Sequence, residues 1–250
     1  MNLPLKERLE KAASLVGIDS FVCTASGPIP RRCEGRVFVS DVGCDHAYLS
    51  LFLVMSGLAD GAVASDVRQG PLDAAKANIS RFGCEGKIET LLTDGLCGIA
   101  PYEPTDILIC GMGGETIMTI LNEAPFVKEK RRRLILQPMT GVAEVALFLS
   151  LSGFHIFAER YAIDDKKPYR ILGAVYDGIQ RELPLVEALT GELYFPEDRD
   201  AYLAFCHKMA STILKKADGI RARGGDAYEL DALRLAVLEK ASSQTRIDTR

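Results

Sequence analysis

Between residues 36 and 137, five short β-branched or apolar runs (36–41, 62–66, 88–92, 106–110 and 133–137) alternate with stretches of helical periodicity. Four of the five run straight into Gly, Asp or Pro. Strands separated by helical segments of this length predict βαβ units, hence a mostly parallel sheet with helices on both faces. Two further runs, 155–161 and 169–176, are joined by 163–168, which is too short for a helical crossover, so they predict an antiparallel hairpin at the sheet edge.

The flanks read differently. Leu5, Leu9, Ala12, Ala13 and Val16 recur every three or four positions and stop at Gly17, predicting an amphipathic helix over 3–17. The Gly-, Pro- and Cys-rich segment 19–35 reads as a loop. Beyond Gly178, Tyr202, Cys206, Met209, Ile213, Ala217 and Ile220 step at helical spacing, as do Leu230, Leu233 and Val237, with Gly224-Gly225 between the two series. That pattern predicts an antiparallel helical hairpin with a coiled-coil-like seam. The chain thus divides into an α/β unit, 1–178, and a helical C-terminal unit, 179–250.

Composition narrows the class. With 250 residues, 48% hydrophobic and 26% charged, the chain can bury one substantial core, and fibrous or disordered classes are excluded. The longest apolar run, 48–55, is too short to span a bilayer, and residues 1–10 carry charges where a signal peptide needs an apolar stretch, so a cytoplasmic protein without a membrane partner is expected. Seven cysteines without a CxxC read as reduced thiols, and three scattered histidines, His46, His155 and His207, give no metal-ligand spacing. GxSxG and GxxxxGK[ST] are both absent.

Ligands of an open parallel sheet bind outside the carboxyl ends of the strands, and four strand ends here carry candidate chemistry. The first runs into Asp41-Val42-Gly43-Cys44-Asp45-His46-Ala47-Tyr48. Gly43 permits a tight turn into the next helix, but the GxGxxG of a dinucleotide turn is missing, and Asp45 would repel a pyrophosphate. A ligand with an amino or sulfonium cation suits it better, which favours S-adenosylmethionine over NAD. The plainer role for Asp45 is a helix cap. The second strand ends at Asp66, placed to bond ribose hydroxyls or simply to cap a turn. The third ends in Asp94-Gly95, an adenine-amino acceptor or an ordinary turn. The fourth ends in Gly111-Met112-Gly113-Gly114, glycines that allow close approach of a ligand or a tight turn. The fifth ends in Gln137-Pro138, with Tyr169 opening the last strand-like run. Cys44 and Cys110 lie nearby and receive no catalytic role, since buried cysteine is commonly a small hydrophobe.

The sequence DxGxDHAYL, with an acid at the second strand end, DG after the third, GMGG after the fourth and LILQP at the fifth, resembles the bacterial TrmK family of tRNA (adenine-N1) methyltransferases over about residues 3–178. The resemblance implies a Rossmann-like class I methyltransferase fold with a C-terminal helical hairpin, S-adenosyl-L-methionine as cofactor, and adenine 22 of tRNA as target. It implies that Gly43, Asp45 and His46 contact the methionine end of the cofactor, Asp66 the ribose, and Asp94 with Gly95 the adenine, with Asp41 and Gly111 also among the cofactor-binding residues. Gly111, Met112 and Gly113 would line the transfer site with Asp45, and Gly114, Gln137, Pro138 and Tyr169 would face the substrate. The segment 19–35 and Asp66, where the family also uses Glu, depart from the pattern.

Adenine N1 carries an in-plane lone pair, so no proton need leave before it attacks. Alignment of nitrogen, carbon and sulfur is the main task, worth ~7–11 kcal/mol of the barrier, with Asp45 or nearby carbonyls stabilising the cationic product ring. No sharp side-chain inflection of the rate is expected near neutrality. A net charge of −4 argues against an RNA partner only as an average. Lys128, Lys130, Arg131, Arg132 and Arg133 oppose only Glu129, while Arg31, Arg32 and Arg36 form a second cluster and Lys6, Arg8 and Lys11 a third. Arg131 and Arg132 are the candidate RNA contacts, although such runs are commonly solvated faces. A methyltransferase for a small molecule or protein, or a non-catalytic adenosine-binding module, fits the same strand ends. A monomer is favoured.

Overall fold

A computed structural model describes residues 3, 5–24, 27–129 and 131–244. Its centre is a seven-stranded sheet built from β3 (Phe38–Val42), β4 (Gly61–Asp66), β5 (Ile88–Leu92), β6 (Asp106–Gly113), β7 (Arg133–Thr140), β8 (Phe154–Asp164) and β9 (Lys167–Tyr176), in the order β5-β4-β3-β6-β7-β9-β8. The first five run parallel. β9 pairs antiparallel with both β7 and β8, so the expected edge hairpin is present, with the later strand inserted inside the earlier one.

Alternation assigns the two faces. Leu108 and Ile135 join the side covered by α1 (Glu7–Ser14), α2 (Tyr48–Met55) and α3 (Gln69–Arg81). Ile107, Ile109, Leu134 and Leu136 pack on the opposite side against α4 (Gly114–Asn122) and α5 (Val142–Leu151). A side-chain period of two in strands buried on both faces makes each run continuously apolar, which is why the sequence reads as strong, short strands. The first helix is shorter than its periodicity implies: α1 closes at Ser14, and turns carry Leu15 and Val16 into the core before Gly17 adopts φ +70°.

Segment 19–35 corrects the expectation of a loop. β1 (Ile18–Thr24) and β2 (Gly27–Arg32) form a separate two-stranded antiparallel sheet. Pro28 and Pro30 argue against a central strand, but a two-stranded ribbon has a free edge on each strand, where a missing N–H costs no ladder bond.

Three helices complete the described chain: α6 (Leu185–Thr190), α7 (Arg199–Arg221) and α8 (Tyr228–Gln244). α7 and α8 form the hairpin, with Gly224-Gly225 in its turn and Cys206, Ile213, Ala217 and Val237 buried along the seam; Ile220, near the tip, is exposed. The root of the hairpin is fused to the sheet. Tyr161 of β8 packs edge-on to Tyr202 at 5.0 Å, and Arg170 of β9 bonds Glu159 at 2.6 Å and the Ala188 carbonyl at 2.6 Å, all buried. Beside them, buried Asp198 accepts from Arg160 at 2.7 Å and from Lys11 at 2.5 Å. Burial pushes the Asp198 carboxyl upward, but these cations and the Tyr161 N–H more than offset it and hold it below its ordinary range. No helix among the described residues is long and apolar enough to cross a membrane.

Candidate active site

The sheet order reverses between β3 and β6, and a crevice opens beyond the carboxyl ends of these neighbours. Two chambers open there. One, of about 340 Å³, is lined by Asp66, Asp94, Gly95 and Thr116; the other, of about 260 Å³, by Arg8, Asp41, His46 and Tyr48. Gly43, Asp45, Cys110 and Gly111 border both. The chambers are therefore two ends of one elongated site that narrows where β3 and β6 end.

The turn after β3 is shaped by three left-handed residues, Gly43 at φ +72°, Asp45 at +51° and Ala47 at +59°. Gly43 tolerates that region; Asp and Ala are there at a cost of about 1 kcal/mol each, a strain common at ligand sites. Gly43 and Cys44 both donate to the Ser65 carbonyl, at 2.8 and 2.9 Å, which pins the turn to β4. No side chain caps α2, so Asp45 is not a helix cap; it is exposed at the chamber border, with Oδ1 3.7 Å from His46 Nε2.

Asp41 is buried and accepts from Ser50 Oγ at 2.6 Å. Burial pushes its carboxyl up to about 6, with the Ser50 bonds pulling the other way. Burial, then the charge of Asp41, pushes the Cys110 thiol up to about 12 and raises Cys44 as well, so both stay protonated at neutral pH and are poor nucleophiles. Asp66 ends β4 with Oδ1 accepting from the Arg68 N–H at 2.9 Å and lying 3.7 Å from Arg68 Nε, while Oδ2 has no partner among the described residues. Asp94 is exposed at the chamber wall, and Gly95 is forced: its φ is +53° and a Cβ would lie 3.0 Å from Ile120 Cγ1.

The stretch 111–114 is not a free glycine loop. β6 continues through Gly113, with a register irregularity around Gly111, whose φ is +83°. Met112 folds back so that its Cε would lie 2.3 Å from a Cβ on Gly43. Gly113 has an ordinary extended backbone at the start of α4. Gly114 is buried, and a Cβ there would sit 2.7 Å from the Gly141 oxygen, so it is a packing glycine between α4 and the turn before α5.

Gln137 is wholly buried; its Oε1 accepts from Arg8 Nη1 at 2.7 Å and from the Gly111 N–H at 3.1 Å. It positions the crevice wall rather than facing outward. Arg8 is the residue that sequence reasoning placed elsewhere, on a basic helix face. Asp164 at 3.1 Å and Gln137 hold it in the second chamber, with its guanidinium 5.9 Å from the Tyr169 ring centroid. Pro138 and the largely buried Tyr169 line a neighbouring cavity of about 240 Å³ against α7, together with Lys208. Arg131 and Arg132 are not brought to the crevice: they precede β7, at the amino ends of the strands. Lys130 lies outside the described residues. Among the described residues no cluster of His, Cys, Asp and Glu could hold a metal.

A Rossmann-type sheet whose switch-point crevice carries acids at three successive strand ends, with no phosphate-binding glycine turn, has the architecture of a class I methyltransferase domain. Residues 29–172 match the methyltransferase domain family. The chain is 33% identical over 148 residues, 56% of its length, to the tRNA (adenine(22)-N(1))-methyltransferase of Bacillus subtilis, and that stretch is 62% of the relative's own length. It superposes on the crystal structure of the B. subtilis m1A22 tRNA methyltransferase TrmK with a TM-score of 0.71, at 24% identity over 98% of this chain and 97% of the other, a likeness of fold. A structure of Streptococcus pneumoniae Sp1610 in complex with S-adenosyl-L-methionine gives a TM-score of 0.74 at 28% identity, covering 92% and 98%. The chain belongs to the methyltransferase domain family.

Proposed function

We propose that this protein transfers a methyl group from S-adenosyl-L-methionine to N1 of adenine 22 in tRNA. The observation that carries the reading is the pairing of opposite charges in the two-chambered crevice. The second chamber offers a buried carboxylate, Asp41, and a held guanidinium, Arg8, which match the ammonium and carboxylate of an amino-acid head group. The first offers Asp66, with one oxygen free, and Asp94, which match ribose hydroxyls and an adenine amino group. Asp45 and Gly111, between the two, border the place of a central cation.

S-adenosyl-L-methionine, when bound, would supply a methyl carbon on a positive sulfur, so that the N–C bond to adenine N1 could form as the C–S bond breaks with its electron pair leaving on sulfur. The chain's residues contribute alignment and charge rather than proton removal. Gln137 fixes the Gly111 backbone and Arg8 together. Exposed Asp45 favours the cationic methyladenine ring over the neutral one. Met112, bent towards Gly43, packs at the neck. Residues 1–178 form the catalytic unit in this reading and 179–250 the appended helical unit; a tRNA substrate carries a cytoplasmic location with it, and the monomer is the working state.

Incubation with labelled S-adenosylmethionine and unmodified tRNA, followed by nucleoside analysis, tests the reaction. Label is expected in N1-methyladenosine, and its loss on replacing adenine 22 assigns the site; label in another nucleoside, or none, overturns the reading.

A further inference from the structure

The two arginine clusters that the sequence separates by about a hundred residues meet in space. The end of β2, the link 33–36, the start of β6 and the start of β7 enclose a cleft of about 710 Å³, lined by Arg31, Arg32, Arg36, Arg131 and Arg133 with Glu34 as its one acid. Of these, Arg133 is held behind the lining in a buried, bidentate pair with Asp106 at 2.7 and 2.6 Å, so its charge is already neutralised. Arg32 is anchored through Nη1 to the Val16 carbonyl at 3.0 Å. Arg31, Arg36 and Arg131 are exposed and have no acidic partner among the described residues. Arg36 lies 4.8 Å over the Phe38 ring, which holds the guanidinium while leaving its N–H edge to solvent.

This cleft sits at the amino ends of the strands. Thr105 in its lining and Cys110 at the crevice are five residues apart along the chain, so it lies roughly 13 Å or more from the methyl-transfer site, at the opposite end of the strands. We propose that it is a second binding surface that takes phosphodiester groups of an RNA backbone, remote from the reacting base. Several guanidiniums round a wide opening, with no aromatic platform for a base among its lining residues, match a run of phosphates rather than a nucleotide. One wall comes from the β1–β2 ribbon, the segment that departs from the family's pattern, so the surface is a property of this chain. The choice of RNA over other polyanions rests on the proposed tRNA substrate.

The test compares the full-length protein with the exposed-residue triple variant Arg31→Gln, Arg36→Gln, Arg131→Gln, and with a charge-matched control, Lys76→Gln, Arg81→Gln, Lys87→Gln, whose residues are also exposed but lie outside the cleft. Binding of labelled unmodified tRNA is measured across a salt series, S-adenosylmethionine binding by calorimetry, and methyl transfer as KM and kcat. The cleft variant is expected to bind tRNA about tenfold more weakly, with a log–log salt slope smaller by about 2–3, and to raise KM for tRNA while kcat and cofactor affinity hold. The control is expected to match wild type. Unchanged tRNA affinity and slope in the cleft variant overturn the proposal, as does equal weakening in both variants, which would make it a matter of net charge. A loss confined to binding of inorganic pyrophosphate, with tRNA binding intact, also overturns it in favour of a small-anion site. If the cleft variant loses tRNA binding but wild type methylates no tRNA, the assigned reaction fails and the surface stands.

Discussion

Asp41 and Asp45 stand four residues apart and meet opposite surroundings, one buried beneath Ser50 and one exposed on a left-handed backbone. Burial makes ionising Asp41 unfavourable, since its carboxyl sits near 6 rather than 3.8. It therefore contributes stability that is complete below the ordinary carboxylate range and is lost as pH rises through about 6. An ammonium ligand needs the ionised form, so cofactor affinity is predicted to fall as pH drops below about 6, while kcat at saturating cofactor stays flat near neutrality. Calorimetric titrations from acid to neutral pH check this, and a flat affinity would remove Asp41 from the head-group site. Asp41→Asn is predicted to raise apo stability at pH 7 by on the order of 2 kcal/mol while weakening cofactor binding at least about tenfold, read by denaturant melts and calorimetry. Asp45→Asn keeps a side chain that tolerates positive φ and removes the charge. It is predicted to lower cofactor affinity and kcat together with melting unchanged; normal activity would leave Asp45 a turn residue.

Among the elements, β6 and its junction with α4 show what sequence can and cannot reveal. The glycines at 111–114 are visible in the sequence, but their separate duties are not. Gly111 bends the strand, Gly113 has ordinary geometry, and Gly114 meets the turn before α5. Gly114→Ala is predicted to destabilise by ~1–3 kcal/mol, because backbone oxygens rather than a movable side chain face the new methyl; Gly113→Ala should cost far less. Equal melting temperatures for the two would contradict that assignment. The acids of the crevice were legible because a buried strand followed by Gly or Asp announces its own end. Arg8 was not, since its partners Gln137 and Asp164 lie far along the chain and helical periodicity says only which face of α1 is apolar. The β1–β2 ribbon was hidden by its prolines, which mimic loop chemistry when a strand has a free edge.

At the scale of the whole molecule, the helical hairpin is bolted to the sheet through buried charge. Glu159 accepts from Arg170, Tyr161 and the Glu192 N–H, and Arg170 also reaches the Ala188 carbonyl. Arg170→Met would leave Glu159 buried without its cation, and is predicted to destabilise by ~3–5 kcal/mol. Hydrogen exchange should then show α6 and the root of α7 opening early; unchanged protection there would mean the pair is dispensable. Sheet and hairpin thus share a core, Tyr161 packing with Tyr202, Phe205 and Cys206, which a sequence pattern registers only as a change of period.

The inserted position of β9 sets an order on synthesis. The chain makes β7, then β8, and only then the strand that pairs with both, so until Tyr176 has been made the edge of β7 has no neighbour on that side. A nascent chain paused at Asp164 presents Leu134, Ile135 and Leu136 on an open strand edge, the feature that seeds pairing with other chains. The sheet therefore closes late, at the edge beyond β7, while the crevice is framed by β3 and β6, whose own partners are complete once β7 is made.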